Sequence, residues 1–283
     1  MEKVGVIGAG VMGRGVAQSL AQSGYQVILL DVCEEILEQA RQEISNTLRF
    51  RSFFGKTEGM ESAEKIMGRI EFITDKQLLK EAGFIIENAT ENWEVKKAIY
   101  EEMDGICDKN CIFMVNTSCI PITRIAALTG RPDKVIGTHF MNPVPMNQAV
   151  ETIRGYHTSE ECINAVDELL KAMGKEMILV NDSPGFVSNR ISHLFMNEAA
   201  YVVQDQIASP QEVDDIFRKC YKHAMGPLET ADLIGLDTVV NSLAVLYENY
   251  QDPKFRCCPL LRKMVDAGLY GRKSGKGFYT YQE

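Results

Sequence analysis

Short apolar runs alternate with helical patterns over roughly the first two thirds of the chain. The predicted strands are residues 3–7, 25–30, 70–73, 84–88, 111–115, 135–139, 149–153 and 176–180. Helices predicted at 92–107 and at about 121–129 separate the later strands. This alternation predicts an α/β fold with a mostly parallel, doubly wound sheet. Asn88, Asn116 and His139 fall at the carboxyl ends of strands, so we expect them to face one crevice.

The chain changes character at the turn-forming cluster 181–185, which is the predicted domain boundary. Beyond it, helical patterns occupy 187–206, 210–222, 235–250 and 259–267, and period-two alternation returns only at 277–281. We therefore predict a sheet domain over 1–182 and an all-α domain over 183–283.

Residues 33–69 are predicted to form a helical insertion between two strands. The helical pattern breaks at Gly55 and Gly59 and resumes in a second short helix around 63–67. The insertion is longer than a minimal crossover between parallel strands requires. We expect a helical hairpin that stands off the sheet.

A glycine-rich segment, GAGVMG at 8–13, joins the first strand to a helical pattern. In this context the spacing is typical of a Rossmann-type dinucleotide site: Gly8 makes the tight turn, Gly10 admits a pyrophosphate and Gly13 lets helix and strand pack closely. Asp31 ends the next strand 18 residues after Gly13, close to the roughly 20 expected of the acid that bonds the adenosine ribose. Because a carboxylate repels a 2′-phosphate, the sequence favours NAD over NADP.

A second candidate feature lies between His139, at the end of a predicted strand, and Glu151, inside the next one. Pro143 and Pro145 impose an extended turn that could bring the two side chains together. A carboxylate beside an imidazole selects its tautomer and lets the other ring nitrogen act as a general base. Spacing alone equally fits a buried histidine bonded to a carbonyl and a solvated glutamate.

Composition narrows the classes of partner. The chain has 283 residues, 45% hydrophobic and 24% charged, which is enough for two globular domains. The net charge of −9 argues against nucleic acid or an anionic membrane, but not against a phosphate-bearing ligand. The eight cysteines show neither C-x-x-C pairs nor zinc-ligand spacing, so we expect no metal site and reduced thiols in the cytoplasm. The sequence shows no leader pattern and no apolar run of membrane-spanning length.

Several motifs are spread over the whole chain. They are GAGVMG at 8–13 with Asp31, NTS at 116–118, HFMNPVP at 139–145 with Glu151, PGFVSNR at 184–190, HAMGPLE at 223–229 and GRKSGKGFY at 271–279. In order and spacing they resemble the short-chain 3-hydroxyacyl-CoA dehydrogenases, and most closely the bacterial 3-hydroxybutyryl-CoA dehydrogenases. The resemblance implies reversible, NAD-dependent oxidation of a 3-hydroxyacyl thioester to the 3-oxoacyl thioester.

The resemblance also implies roles for individual residues. His139 would be the base that takes the hydroxyl proton, and Glu151 its orienting partner. Ser118 and Asn189 would hold the substrate's oxygens, and Asn142 would line the same pocket.

The resemblance also implies contacts with the cofactor beyond the glycine loop. Glu91 and Lys96 match positions that touch the cofactor in the family, and Ser118 and Asn142 are expected to touch it as well. Each assignment has an alternative: Ser118 could cap the helix near 121, and Asn189 the helix that it opens. Asn142 could be a turn residue, and Lys96 could lie on a solvated helix face.

The sequence departs from the family in two places. Where the family usually has a methionine–lysine step after Pro-Val-Pro, this chain has Asn147 and Gln148. Where the family's hairpin usually carries a lysine cluster for the CoA phosphates, the nearby cations are Arg49, Arg51 and Lys56. We expect a CoA thioester with Arg51 and Lys56 among its contacts. The alternative is an acyl-carrier-protein thioester, as in relatives from polyketide extender-unit pathways.

Two other classes of protein share part of this pattern. A non-catalytic NAD-binding homologue, such as the crystallins drawn from this family, would be free to lose the base, yet His139, Glu151, Ser118 and Asn189 are all present. The related β-hydroxyacid dehydrogenases carry a catalytic lysine at the position matched by Asn189, which disfavours that group. The resemblance further implies a homodimer built by the helical domain.

Overall fold

The computed structural model describes residues 3–54 and 61–281, without the side chains of 51–54. Contacts between Cα atoms divide the chain into two units, Met1–Ser183 and Pro184–Glu283. The predicted break of the hairpin at Gly55 and Gly59 lies outside the described residues.

In the described residues, eight strands form a single sheet in the first unit. They are β1 (Lys3–Ile7), β2 (Gln26–Leu30), β3 (Ile70–Ile73), β4 (Ala82–Glu87), β5 (Ile112–Val115), β6 (Val135–His139), β7 (Ala149–Arg154) and β8 (Glu176–Asn181). Their order is β3-β2-β1-β4-β5-β6-β7-β8. Neighbours pair in parallel throughout, apart from the antiparallel pair β6 and β7. The predicted mostly parallel, doubly wound sheet is confirmed, and its order reverses between β1 and β4, where such folds bind ligands.

Helices pack against this sheet, and those of the predicted insertion do not simply stand off it, because Leu37, Ala40 and Ile44 are buried in one core with strand residues. They are α1 (Val11–Gln22), α2 (Glu34–Phe54), α3 (Ala63–Met67), α4 (Trp93–Ile106), α5 (Ile122–Ala126) and α6 (Glu160–Ala172). Helix α6 is not among the helices predicted from the sequence, although its start is marked by Ser159, whose side chain accepts a hydrogen bond from Cys162 N. It buries Val166 and Leu170 in the same core as Val6 of β1, so the strands are covered as parallel sheets require.

The second unit is helical, as predicted. Its helices are α7 (Ser188–Gln204), α8 (Pro210–Lys219), α9 (Pro227–Ile234), α10 (Leu236–Tyr250) and α11 (Pro259–Asp266). No helix within 3–54 and 61–281 combines the length and apolar character needed to cross a membrane.

The period-two alternation at 277–281 does not form a strand; only isolated bridges link Lys276 to Gly271 and Thr280. The reason is the buried carboxylate of Asp232, which accepts hydrogen bonds from Phe278 N and Tyr279 N, both at 3.0 Å. These are the groups that a strand would donate to a neighbour. These N–H groups instead donate to Asp232 of α9, which is distant in sequence.

Candidate active site

The antiparallel pairing of β6 with β7 places His139 directly opposite Glu151. His139 Nδ1 lies 2.9 Å from Glu151 Oε2, and the two residues are only 7% and 9% exposed. Because a carboxylate can only accept, the imidazole donates from Nδ1 and keeps the lone pair on Nε2. Ser118 Oγ lies 3.4 Å from that Nε2. Glu151 is therefore not the solvated glutamate that the spacing alone also allowed.

The loop that carries Ser118 is held by a single carboxylate oxygen. Glu91 Oε1 accepts hydrogen bonds from Thr117 Oγ1 at 2.6 Å, from Ser118 N at 3.0 Å and from Cys119 N at 2.9 Å. Glu91 therefore fixes the backbone from which the Ser118 hydroxyl reaches His139.

The suggestion that Ser118 caps the helix near 121 is not supported by the structure. The carboxylate of Asp182 accepts hydrogen bonds from Ile122 N at 3.1 Å and from Thr123 N at 2.8 Å at the start of α5. Asp182 thus supplies the cap, and sequence reasoning did not assign it this role. It is recognisable only once β8 and α5 are seen side by side.

Strand ends β4, β5 and β6 meet in one crevice, as the sequence predicted. Asn116 Nδ2 donates to Asn88 Oδ1 at 2.7 Å, and Asn116 Oδ1 accepts from Phe140 N at 3.3 Å. One amide side chain therefore ties three loops together. Beside it is a cavity of about 200 Å³ lined by Met12, Asn88, Glu91, Ser118, His139 and Phe140, among others.

Under this crevice lies a buried ion pair between Lys96 and Glu87, both 0% exposed. Lys96 Nζ donates to Glu87 Oε1 and Oε2 at 2.8 and 2.7 Å and to Asn116 O at 3.0 Å, which uses all three of its protons. Glu87 also accepts from Tyr100 Oη at 3.1 Å and from Ala89 N at 2.6 Å. Burial raises the pKa of the Glu87 carboxyl, and the Lys96 ammonium opposes that rise.

This packing excludes one of the two sequence interpretations of Lys96. The side chain is fully buried and so does not lie on a solvated helix face, while its contact with the cofactor stays a prediction. Its head group instead holds the loops after β4 and β5 from below. No local sequence pattern indicates this role of Lys96. Its partner Glu87 ends an apolar strand, where a polar residue is ordinary and does not suggest a buried ion pair.

The glycine loop has the shape that a pyrophosphate needs. Gly8 adopts φ +88°, and a Cβ on Gly13 would lie 1.7 Å from Gly8 O, so neither position tolerates a side chain. A Cβ on Gly10 would meet nothing within 4 Å, so that backbone is open to a ligand. Helix α1 starts there with no side-chain cap from the described residues, which leaves its first N–H groups for an anion.

Asp31 is held in place at the end of β2. Its Oδ2 accepts from Ala9 N at 2.8 Å and its Oδ1 from Cys33 N at 3.2 Å. It lines a cavity of about 880 Å³ together with Gly10, Val32 and Ile99. N–H groups for phosphate, a fixed carboxylate for ribose hydroxyls and an apolar cavity for the base fit a dinucleotide with an unphosphorylated ribose.

The remaining predicted site residues are Asn142, Arg51, Lys56 and Asn189. Asn142 is exposed in the connection between β6 and β7. Lys56 and the side chain of Arg51 lie outside the described residues. Asn189 belongs to the second unit and lies inside the first turn of α7, which begins at Ser188, rather than at the capping position. Its role toward the substrate stays a prediction.

The chain is similar to known proteins in both sequence and structure. Residues 3–183 match the NAD binding domain of 3-hydroxyacyl-CoA dehydrogenase, and residues 185–281 match the C-terminal domain of the same family. The chain is 45% identical to a probable 3-hydroxybutyryl-CoA dehydrogenase of Deinococcus radiodurans, over 99% of this chain and 100% of the relative. It is 43% identical to one of Bacillus subtilis, over 100% and 98%. Its structure is similar to a crystal structure of (S)-3-hydroxybutyryl-CoA dehydrogenase from Ralstonia eutropha, with a TM-score of 0.95, 41% identity and 100% of both chains covered.

Proposed function

The chain belongs to the 3-hydroxyacyl-CoA dehydrogenase family, and from that premise we propose that it oxidises a short-chain 3-hydroxyacyl-CoA reversibly to the 3-oxoacyl-CoA. It is an NAD-dependent oxidoreductase. The observation that carries the proposal is the His139–Glu151 pair, whose Nε2 lies beside Ser118 at the end of the cofactor crevice.

The side chains of the crevice suit the proton chemistry of this reaction. NAD, when bound, accepts the hydride from C3 of the substrate. His139 Nε2 removes the hydroxyl proton, and the Glu151 carboxylate stabilises the imidazolium that forms. The Ser118 hydroxyl, close to Nε2, donates to the same substrate oxygen as it becomes a carbonyl. In the reverse direction His139 returns the proton.

We take the carrier of the acyl group to be coenzyme A. The relatives named above are dehydrogenases of CoA thioesters, and the comparisons give no support to the carrier-protein alternative. The test is NADH absorbance with acetoacetyl-CoA and, in parallel, with the acetoacetyl group on acyl carrier protein. Fast turnover of the CoA ester is expected; turnover of the carrier-bound substrate alone would reject this choice, and turnover of neither would reject the proposed substrate class.

Cofactor choice is expected to depend on Asp31. Asp31→Arg should lower the ratio of kcat/KM for NADH over NADPH by about tenfold or more, because it exchanges a ribose acceptor for a cation that favours a 2′-phosphate. Asp31→Asn is the matched control, since it keeps the shape and removes the charge. An unchanged ratio in the arginine variant would reject the ribose assignment.

We further propose a homodimer formed through the second unit. Ile191 on α7 and Ile216 on α8 are 63% and 50% exposed, and Tyr221 after α8 is 67% exposed. Phe195 of α7 and Phe217 of α8 stack edge to face with centroids 4.6 Å apart. Exposed apolar and aromatic side chains on neighbouring helices are typical of a protein interface.

The dimer is tested by light scattering coupled to size exclusion. The wild type is expected to have twice the mass of its 31.7-kDa chain, and the double variant Ile191→Glu, Ile216→Glu the mass of one chain. Tyr156→Glu, which changes an exposed side chain of the first unit, is expected to stay dimeric. A monomeric wild type would contradict the proposal.

A cytoplasmic location is also our proposal. It is supported by eight cysteines that are all free thiols, as expected in a reducing compartment. Cell fractionation tests it, and recovery of the protein outside the cytoplasm would reject it.

A further inference from the structure

The nine residues 140–148, which we call the elbow, join the strand of the catalytic base to the strand of its carboxylate. They turn tightly, since Met146 N and Asn147 N both donate to Pro143 O, at 3.1 and 3.2 Å. The elbow also carries Asn142. Any shift of this segment therefore changes the surroundings of His139.

Asn147 closes the elbow from within. Its Nδ2 donates to Met141 O at 3.0 Å and to Pro143 O at 3.1 Å. This is one of the positions at which the sequence departs from the family's methionine–lysine step. The amide is thus used inside the loop, where a methionine would have no donor to offer.

Lys175 holds the elbow from the other side. It is only 6% exposed, and its Nζ donates to Val144 O at 2.6 Å and to Asn147 O at 2.7 Å. Burial lowers the pKa of the Lys175 ammonium. The next residue, Glu176, donates from its N to Gln148 O at 2.6 Å and begins β8. Together Lys175 and Glu176 fasten the elbow to the edge of the sheet through these three contacts.

The elbow also packs against the cofactor helix. Val144 is 1% exposed, and a Cβ placed on Gly15 of α1 would lie 3.1 Å from Val144 Cβ. The chain has a glycine where the two segments approach closely. The elbow is thereby held between the helix of the glycine loop and the ammonium of Lys175.

We propose that Lys175 and Asn147 are positioning residues for the dehydrogenase reaction, which hold the elbow so that His139 and Asn142 meet the substrate correctly. The inference rests on the proposed function. It predicts that turnover falls much further than affinity for the cofactor, because neither side chain lines the cavities at the glycine loop and Ser118.

The test is steady-state kinetics of Lys175→Met with acetoacetyl-CoA and NADH. We expect kcat to fall by about 10- to 100-fold, the order expected when a reacting group is displaced by near 1 Å, with the Kd for NADH within about twofold. Deuterated NADH should show a larger isotope effect on kcat than in the wild type, because the chemical step becomes limiting. Lys175→Arg, which keeps charge and donors, should recover part of the loss. Lys171→Met, an exposed lysine on α6 paired with Asp167, is the matched control and should behave as the wild type.

A folded Lys175→Met variant with kcat within twofold of the wild type would overturn the inference. So would a fall in NADH affinity that accounts for the whole loss, since that is a structural effect on the cofactor site. If Lys175→Met does not fold, Asn147→Leu decides: a fall in kcat of about tenfold supports the proposal, and an unchanged kcat rejects it. An inactive wild type would instead reject the proposed function, so the two failures are distinguishable.

Discussion

Replacing His139 by glutamine is expected to reduce turnover by about 10²–10⁴-fold while leaving the affinity for NADH nearly unchanged. Glutamine can still bond the Glu151 carboxylate, which lies 2.9 Å from the ring, so the strands β6 and β7 keep their contact. It cannot take up a proton at the position of Nε2. Turnover is followed by NADH absorbance with acetoacetyl-CoA, and affinity by calorimetric titration of NADH.

The same variant separates a catalytic from a binding role. If turnover is unaltered, His139 is not the base and the proposed mechanism is wrong. If the affinity for NADH falls in parallel with turnover, the histidine supports the crevice rather than the chemistry.

Replacing Glu151 by glutamine is expected to reduce turnover by about 10²–10⁴-fold as well. The amide removes the negative charge that stabilises the imidazolium. Its NH₂ group can also donate to Nδ1, which would select the tautomer protonated at Nε2 and so remove the base. Glu160→Gln, at an exposed glutamate paired with Arg154, is the matched control and should leave turnover unchanged.

A double-mutant cycle tests whether the two residues act as one unit. The double variant His139→Gln, Glu151→Gln should be no slower than His139→Gln alone, because the carboxylate has no imidazole left to orient. Losses that multiply would mean that Glu151 contributes independently of His139, which would contradict its role as the partner of the base.

Much of this site is predictable because its parts are local. The strand ending in His139 is an apolar run with a clear limit, and the observed β6 has the predicted bounds 135–139. The glycine loop is equally predictable from the sequence. Gly8 is required by the tight turn and Gly13 by the close approach of helix α1 to strand β1, and both lie within one short segment. Such features need no knowledge of the rest of the chain.

Other parts depend on partners distant in sequence, which a local pattern does not contain. Lys96 looks like an ordinary helical lysine until β4 and α4 pack and bury it against Glu87. The sequence around Lys175 likewise gives no sign of its role. The role depends on the elbow, some thirty residues earlier, whose carbonyl groups accept hydrogen bonds from the Lys175 ammonium. The alternation at 277–281 misleads for the same reason, because Asp232 takes the N–H groups that a strand would have used.

The departures at Asn147 and Gln148 have a different meaning in the structure than in the sequence. From the sequence they suggest a weaker contact with the CoA handle. In the structure Asn147 donates within the elbow, and Gln148 O accepts from Glu176 N at 2.6 Å. The Asn147 side chain thus serves the segment between the base and its carboxylate, whereas Gln148 contributes its backbone carbonyl and the change in its side chain has no structural explanation.

The central claim is that the chain moves a hydride between C3 of an acyl-CoA and the nicotinamide, with His139 as the base. The most direct measurement supplies 3-hydroxybutyryl-CoA deuterated at C3 together with NAD and analyses the reduced cofactor by mass spectrometry. We expect one deuterium in each NADH formed, a primary isotope effect on the rate and a large loss of rate in His139→Gln. Reduced cofactor without deuterium, or no reduction at all by the wild type, would contradict the claim.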